Sequence, residues 1–320
     1  MSDQTTNPFA SLWSDIPAAD NFPARRPLLA HYTSIETLEK ILINDEIWFS
    51  NPLYMNDMEE LRFGLNQSAA ALPLHAGIRE ACGSPLRYKI LLESFERQFQ
   101  AFDQLHAFDT YVLCFSEHQP EDTDGLLSMW RGYGNEGRGV ALVIDTQQIN
   151  VVDLPLFIIS RVTYASREER LNSIKNKLTE FASLLKELGP PDEGLPVATS
   201  ALLERLKTFA LFTKHRGFGE EHEWRFVHLK QYDHANRLAQ MLSYSIGKRG
   251  LEPKLKFKVA PIVGVTAPDL SLEKLVYRII VGPSISNALT DKTLERMLVQ
   301  NGKATLVKRL RASSTPFRPL

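Results

Sequence analysis

Hydrophobic positions along the chain change period several times, and each change marks an element. In TSIETLEKILIND, Ile35, Leu38, Ile41 and Leu42 recur at helical spacing, and Thr33 with Glu36 makes a capping box, so a short helix starts there. EIWFSNP then alternates like a strand until Pro52 stops it, and a second helix follows Asn56 and Asp57. TYVLCFSE is a compact apolar run ending in polar Ser116 and Glu117, which predicts a buried strand. FIISRVTY, HEWRFVHL, LKFKVAP, KLVYRIIVGP and TLVKRL read as further strands, and residues 86–106, 166–188, 197–214 and 286–301 as helices. In HEWRFVHL, Glu223, Arg225 and Val227 share one face while Trp224, Phe226 and His228 share the other.

The strands cluster late and follow no strict βαβ rhythm, so the pattern predicts an α+β fold with a central mixed or antiparallel sheet. Two helical insertions, at about 58–106 and 166–214, interrupt a single domain over 28–320. Pro17, Pro23 and Pro27 mark residues 1–27 as an irregular lead, with order beginning at LLAHYT.

At 320 residues, with 43% hydrophobic and 23% charged residues, the composition is that of a globular chain rather than a disordered one. Lys and Arg number 37 against 38 Asp and Glu, which excludes a whole-surface basic footprint for nucleic acid while leaving a local patch open. Cys82 and Cys114 form no CxxC pair, the N-terminus lacks the layout of a signal peptide, and no apolar run is long enough to span a bilayer. The expectation is a cytoplasmic protein with no membrane partner; nothing in the sequence fixes its oligomeric state.

The strongly diagnostic catalytic motifs are absent. Gly132, Gly134 and Gly137 satisfy G-x-G-x-x-G, yet a helical segment precedes them and the β-branched run VALVI follows. That order is the reverse of a dinucleotide-binding turn, so the glycines serve tight turning or close approach. His222 and His228 have no third ligand at a usual spacing, and no metal is indicated. The informative cluster is GFGEEHEWRF, which crowds Glu220, Glu221 and Glu223 beside an apolar strand. Glu223 has Arg225 on its own face to fix its rotamer and charge state, against the plainer reading of a surface pair. His31 and Tyr32 stand at one strand end and Ser50 and Asn51 at another, where polar loops begin. Trp130 and Tyr133 flank the glycine loop, with packing the plainer account of both.

HYT, TLEKIL, WFSNP with MND, CFSE, LSMWRGYGNEGRGVAL, EEHEWRF, IIVGP and PFR, in that order, resemble the bacterial domain of unknown function 2971 from about residue 29 onward. The chain is also similar to ADP-ribosyltransferase-like folds, whose pattern is a His on the first strand, a Ser or Tyr on the next and a Glu on a late strand. His31, Ser50 and Glu223 match in that order, and Glu221 with Glu223 gives the Glu-x-Glu spacing of some such enzymes. The resemblance implies NAD as substrate and a small-molecule site, a nucleic-acid or protein target, and a phage-defence or toxin setting. Glu223 would stabilise the ribosyl cation, His31 hydrogen-bond the adenosine-side ribose and Ser50 support the carboxylate or a ribose. Tyr32, Trp130 or Tyr133 would flank a flat ring, while Arg131 or Arg138 would meet the pyrophosphate and Glu221 join the binding site. Ser50 is followed by Asn and Pro rather than the Thr-Ser of one large subgroup, and the helices before HEWRF have no counterpart there.

Two other classes fit the same residues. One is a non-catalytic ligand-sensing or adaptor module. The other is a metal-dependent nuclease with ligands from Glu117, Asp122, Asp124, Glu221 and Glu223, and Lys214 as a charge partner.

Overall fold

The computed structural model describes residues 8–14, 22–55, 58–149, 156–247 and 250–317. In chain order the elements are β1 (Leu28–Thr33), α1 (Ile35–Asn44), β2 (Glu46–Ser50), α2 (Met58–Ala71), α3 (Ala76–Cys82), α4 (Pro85–Ala101), β3 (Thr110–His118) and α5 (Leu127–Gly132). Then come β4 (Val140–Asp145), β5 (Ile158–Arg161), β6 (Thr163–Ala165), α6 (Arg167–Leu188), α7 (Leu195–Leu211), β7 (Thr213–His215) and β8 (Glu223–Leu229). The chain continues through β9 (Leu242–Gly247), β10 (Gly250–Lys258), α8 (Leu272–Leu275), β11 (Val276–Val281), α9 (Ala288–Gln300) and β12 (Leu310–Ala312). The α+β class expected from the sequence is what forms, and every pairing in the large sheet is antiparallel except β11 with β12.

The chain divides into two compact units. The first takes residues 1–18, 52–109 and 162–218, so both stretches expected as insertions into one domain gather in a unit of their own. Within it α2 packs on α6 and α7, α3 on α6 and α4 on α7. A Cβ on Gly64 would lie 2.7 Å from that of Ala210, so the α2–α7 contact needs glycine. A short parallel ladder joins β6 to β7. Part of the expected irregular lead is packed here too, since Phe9 and Leu12 are buried and the Phe9 ring lies against Phe181. Two large apolar side chains in a short turn were enough to bury it, despite the surrounding prolines and polar residues.

The second unit takes residues 19–51, 110–161 and 219–320 and holds a ten-stranded sheet. Its main path runs β12-β11-β4-β1-β3-β2-β10-β9, with β8 on the other edge of β3 and β5 beyond β8. One face carries the larger core, including Leu29, Phe115, Leu142 and Trp224; the other packs Ala30, Tyr32, Ala141 and Val143 on Met129 and Trp130. Two local expectations change. The α1 cap is Ser34, whose hydroxyl accepts from the Thr37 amide, rather than Thr33, which stays in β1. TLVKRL is mostly 3-10 helix, with only its last residue beginning β12. Apolar residues with a lysine and an arginine between them suit either conformation when Leu306 alone is fully buried.

Candidate functional site

The sheet forks at His31. β1 pairs with β4 along its whole length, but with β3 only through Leu28–His118, Leu29–Glu117 and Ala30–Ser116. The same edge of β3 picks up β2 at Val112–Ser50. In the gap, His31 Nδ1 donates to the Cys114 carbonyl at 3.0 Å, and its ring sits edge-on to Phe115. A carbonyl only accepts, so Nδ1 carries the ring proton and Nε2 keeps its lone pair. Burial lowers the His31 pKa from its ordinary value, partly opposed by the Cys114 bond, and the ring is neutral at pH 7. Further along β3, Asn51 Nδ2 donates to the Thr110 carbonyl at 3.0 Å. Side chains from HYT and WFSNP thus bond β3 backbone carbonyls beside the fork.

β8 lies along the other edge of β3 with Glu223 opposite Ser116. Ala30, Ser116 and Glu223 therefore form one row across three neighbouring strands and face the same way. Glu223 and Arg225 are both buried and paired, Nε to Oε1 at 2.7 Å and Nη2 to Oε2 at 3.3 Å. The chain enters β8 through His222 at φ 44°, an uncommon conformation for a non-glycine residue. That bend lays Glu221 and His222 along β3. The Ser116 hydroxyl donates to the Glu221 carbonyl at 2.7 Å, and the Glu117 amide to the His222 carbonyl at 2.9 Å. The Glu221 carboxylate accepts from the Tyr133 hydroxyl at 3.0 Å, which ties the end of α5 to this segment.

The residues singled out in the sequence separate into two groups. Glu221 and Glu223 stand at β8 and the segment before it, with Tyr133 bonded to Glu221, and His31 lies on the opposite face of the sheet. His31 alternates out of the Ala30–Ser116–Glu223 row, on the Phe115 side of the sheet, and its ring occupies the gap. Ser50 is elsewhere: its partner Val112 is four residues from Ser116, about 13 Å along β3. Its hydroxyl accepts from Lys254 Nζ at 2.8 Å, and Lys254 pairs with Glu252 at 2.9 Å. β2 joins β3 too far down the strand for Ser50 to reach Glu223.

Tyr32 and Trp130 are enclosed and pack edge to face at 4.8 Å. The Tyr32 hydroxyl accepts from the Leu126 amide and Trp130 Nε1 donates to the Asp124 carbonyl, so neither ring offers a face for stacking. Burial raises the Tyr32 pKa above its ordinary value. Arg131 is exposed and lies over the Phe317 ring, and Arg138 is exposed and reaches Glu136 at 3.9 Å. The glycine loop is a packed corner. A Cβ on Gly139 would lie 2.1 Å from the Thr33 carbonyl oxygen, so the loop between α5 and β4 packs against the end of β1 backbone to backbone. HYT touches the residue just before β4, Gly139, because only glycine fits there.

The carboxylates of the nuclease reading do not gather. Glu117 accepts from Trp224 Nε1 at 2.9 Å and pairs with Arg25, Asp122 caps the Asp124 and Gly125 amides, and Asp124 binds Ser313 and Ser314. Among the described residues no group of three or more His, Cys, Asp or Glu side chains could hold a metal ion. No helix among them is long and apolar enough to cross a membrane.

Ser116 joins Ala30 and Glu223 only in the folded sheet. CFSE marked it only as a polar strand end; its value comes from the register with Ala30 and Glu223, which no local pattern reveals.

Residues 129–226 match the model of a family described as protein of unknown function (DUF2971). Over that stretch the chain is similar to the DUF2971 family. No curated protein and no solved structure matches the chain. The DUF2971 match begins at α5 and ends inside β8, so it takes in Trp130, Tyr133, Glu221, Glu223 and Arg225.

Proposed function

We propose that the fork between β1 and β3 is an NAD site and that the protein is an ADP-ribosyltransferase-like enzyme, transferring ADP-ribose to an acceptor or to water. The observation that carries this reading is the register that sets Glu223 on β8 directly opposite Ser116 on β3, with the buried Glu223 carboxylate held by Arg225. Ser116 takes the place beside Glu223 expected of Ser50 from the sequence, while His31 stands on β1, with β3 between it and β8.

Cleavage breaks the bond between nicotinamide nitrogen and ribose C1; the bonding electrons leave with nicotinamide, and the ribose becomes oxocarbenium-like. Water or an acceptor hydroxyl or amine then bonds to C1 and loses its proton to solvent. A buried carboxylate facing that carbon favours the positive charge as it develops, which is Glu223's role. Arg225 holds the carboxylate in one rotamer. Ser116 anchors the chain just before Glu223 through the Glu221 carbonyl, and so acts as a positioning residue. The unprotonated Nε2 of His31 is available to accept from a ribose hydroxyl. A bacterial defence or toxin setting, a nucleic-acid or protein acceptor and a cytoplasmic location follow from the same reading.

A second reading, a ligand-sensing module without turnover, is favoured by one observation: Arg225 engages both Glu223 carboxylate oxygens. Incubating the purified chain with NAD and measuring nicotinamide by chromatography separates the two. The enzyme reading expects nicotinamide release that Glu223→Gln abolishes. NAD that raises the melting temperature without being cleaved supports the sensing module, and no NAD binding at millimolar concentration overturns the enzyme reading.

A further inference from the structure

β9 ends the large sheet, and among the described residues only β10 pairs with it. β2 reaches β10 no further than Ser50–Lys254, so the tip of the β9–β10 hairpin extends beyond the rest of the sheet. Core packing stops at Leu242 and Leu255. Past them Tyr244, Ile246 and Leu251 are 63%, 86% and 58% exposed. Ile246 is directly opposite Leu251, so the three apolar side chains share one face of the hairpin. A long, exposed, apolar edge with no charge or proline in its central residues lacks the devices that keep sheets from pairing. A two-stranded extension of this kind is also marginal in water unless something covers it.

The hydrogen-bond phase of the edge follows from Pro253. Pro253 is opposite Tyr244 and has no N–H to give it, so this is a non-hydrogen-bonded pair. Tyr244, and Ile246 two residues on, therefore turn their N–H and C=O groups outward. Ser245 between them turns its own toward β10.

We propose that this edge pairs antiparallel with the same edge of a second copy of the chain, about a two-fold axis at Ser245. That register places the outward-facing groups of Tyr244 opposite those of Ile246 in the partner, and the reverse, so four backbone hydrogen bonds form. It also sets an aromatic ring against a β-branched side chain twice, a favourable cross-strand combination. One patch serves both copies, as a two-fold interface requires. Three partly exposed side chains and six strand residues cover an area on the order of 300–400 Å² per copy, about half the 800 Å² of a standard interface. The dimer is accordingly weak, forming in the micromolar range.

Sedimentation of the full chain from about 1 to 100 μM tests this. The expected result is a mass rising from one chain of 36.3 kDa toward two. Ile246→Pro removes one outward N–H and the side chain but no bond to β10, so it stays folded and monomeric. Ser245→Cys places two thiols across the axis on a non-hydrogen-bonded pair, with Cα atoms about 4.5 Å apart. It cross-links quantitatively under mild oxidant, whereas Ser245→Cys/Ile246→Pro does not. A mass that stays at one chain throughout overturns the proposal. So does a dimer that survives Ile246→Pro, or one that Ser245→Cys fails to cross-link.

Discussion

Removing the Glu223 carboxylate leaves Arg225 charged and buried. Both residues are only 4% exposed, so water cannot replace the lost partner without opening the sheet. Breaking a buried pair from one side costs about 3–5 kcal/mol, whereas replacing both partners with apolar groups of similar volume is often neutral. Glu223→Ala is therefore expected to lose about 3–5 kcal/mol in urea unfolding followed by tryptophan fluorescence. Trp224, adjacent in β8 and fully buried, provides the signal. At about 2–4 °C per kcal/mol for a domain of this size, the melting temperature falls by roughly 6–20 °C. Glu223→Gln, which keeps a carbonyl oxygen for the guanidinium, loses less, and Glu223→Leu/Arg225→Met recovers most of the stability. A Glu223→Ala variant within about 1 kcal/mol of the parent would refute the reasoning, because the two Glu223–Arg225 bonds would then contribute little to stability.

Three further outcomes follow from named contacts. Ser116→Ala removes one hydrogen bond to the Glu221 carbonyl, so unfolding free energy falls by about 0.5–1.5 kcal/mol and NAD cleavage drops at least tenfold, while Ser50→Ala leaves cleavage within about twofold, measured by nicotinamide release. Gly139→Ala drives a methyl into the Thr33 carbonyl and yields insoluble protein or a loss above about 3 kcal/mol, whereas Gly132→Ala, with nothing within 4 Å, is neutral in thermal melts. His31 and His118 both have pKa values lowered chiefly by burial, so the unfolded chain binds protons more readily than the folded one. The stability this gives is complete above about pH 6.5 and is lost as pH falls through the folded values, so melting temperature declines below pH 6.5, and less steeply in His31→Gln.

Much of this architecture was legible from local pattern. The alternation in HEWRFVHL gave the two faces of β8 correctly, and the helix-before, strand-after context of the glycine loop removed a dinucleotide-binding turn from consideration. Long-range pairing was not legible. Ser50 and Ser116 both end strands in polar loops, and only the choice of partner strand puts one opposite Glu223 and the other about 13 Å away. The enclosure of Tyr32 and Trp130 likewise depends on a loop from α5 folding over β1, which periodicity within either segment does not encode. β9 was missed because LSYSIG has only three apolar positions and buries little. That the two helical stretches gather into one unit is a tertiary fact which neither stretch encodes alone.

Nicotinamide release from NAD under single-turnover conditions, compared among the parent chain, His31→Gln, Ser116→Ala and Glu223→Gln, addresses the central claim most directly. The account predicts turnover in the parent and its loss in Glu223→Gln, with strong reduction in the other two, all four remaining folded by near-ultraviolet circular dichroism. Turnover that persists undiminished in folded Glu223→Gln would contradict it.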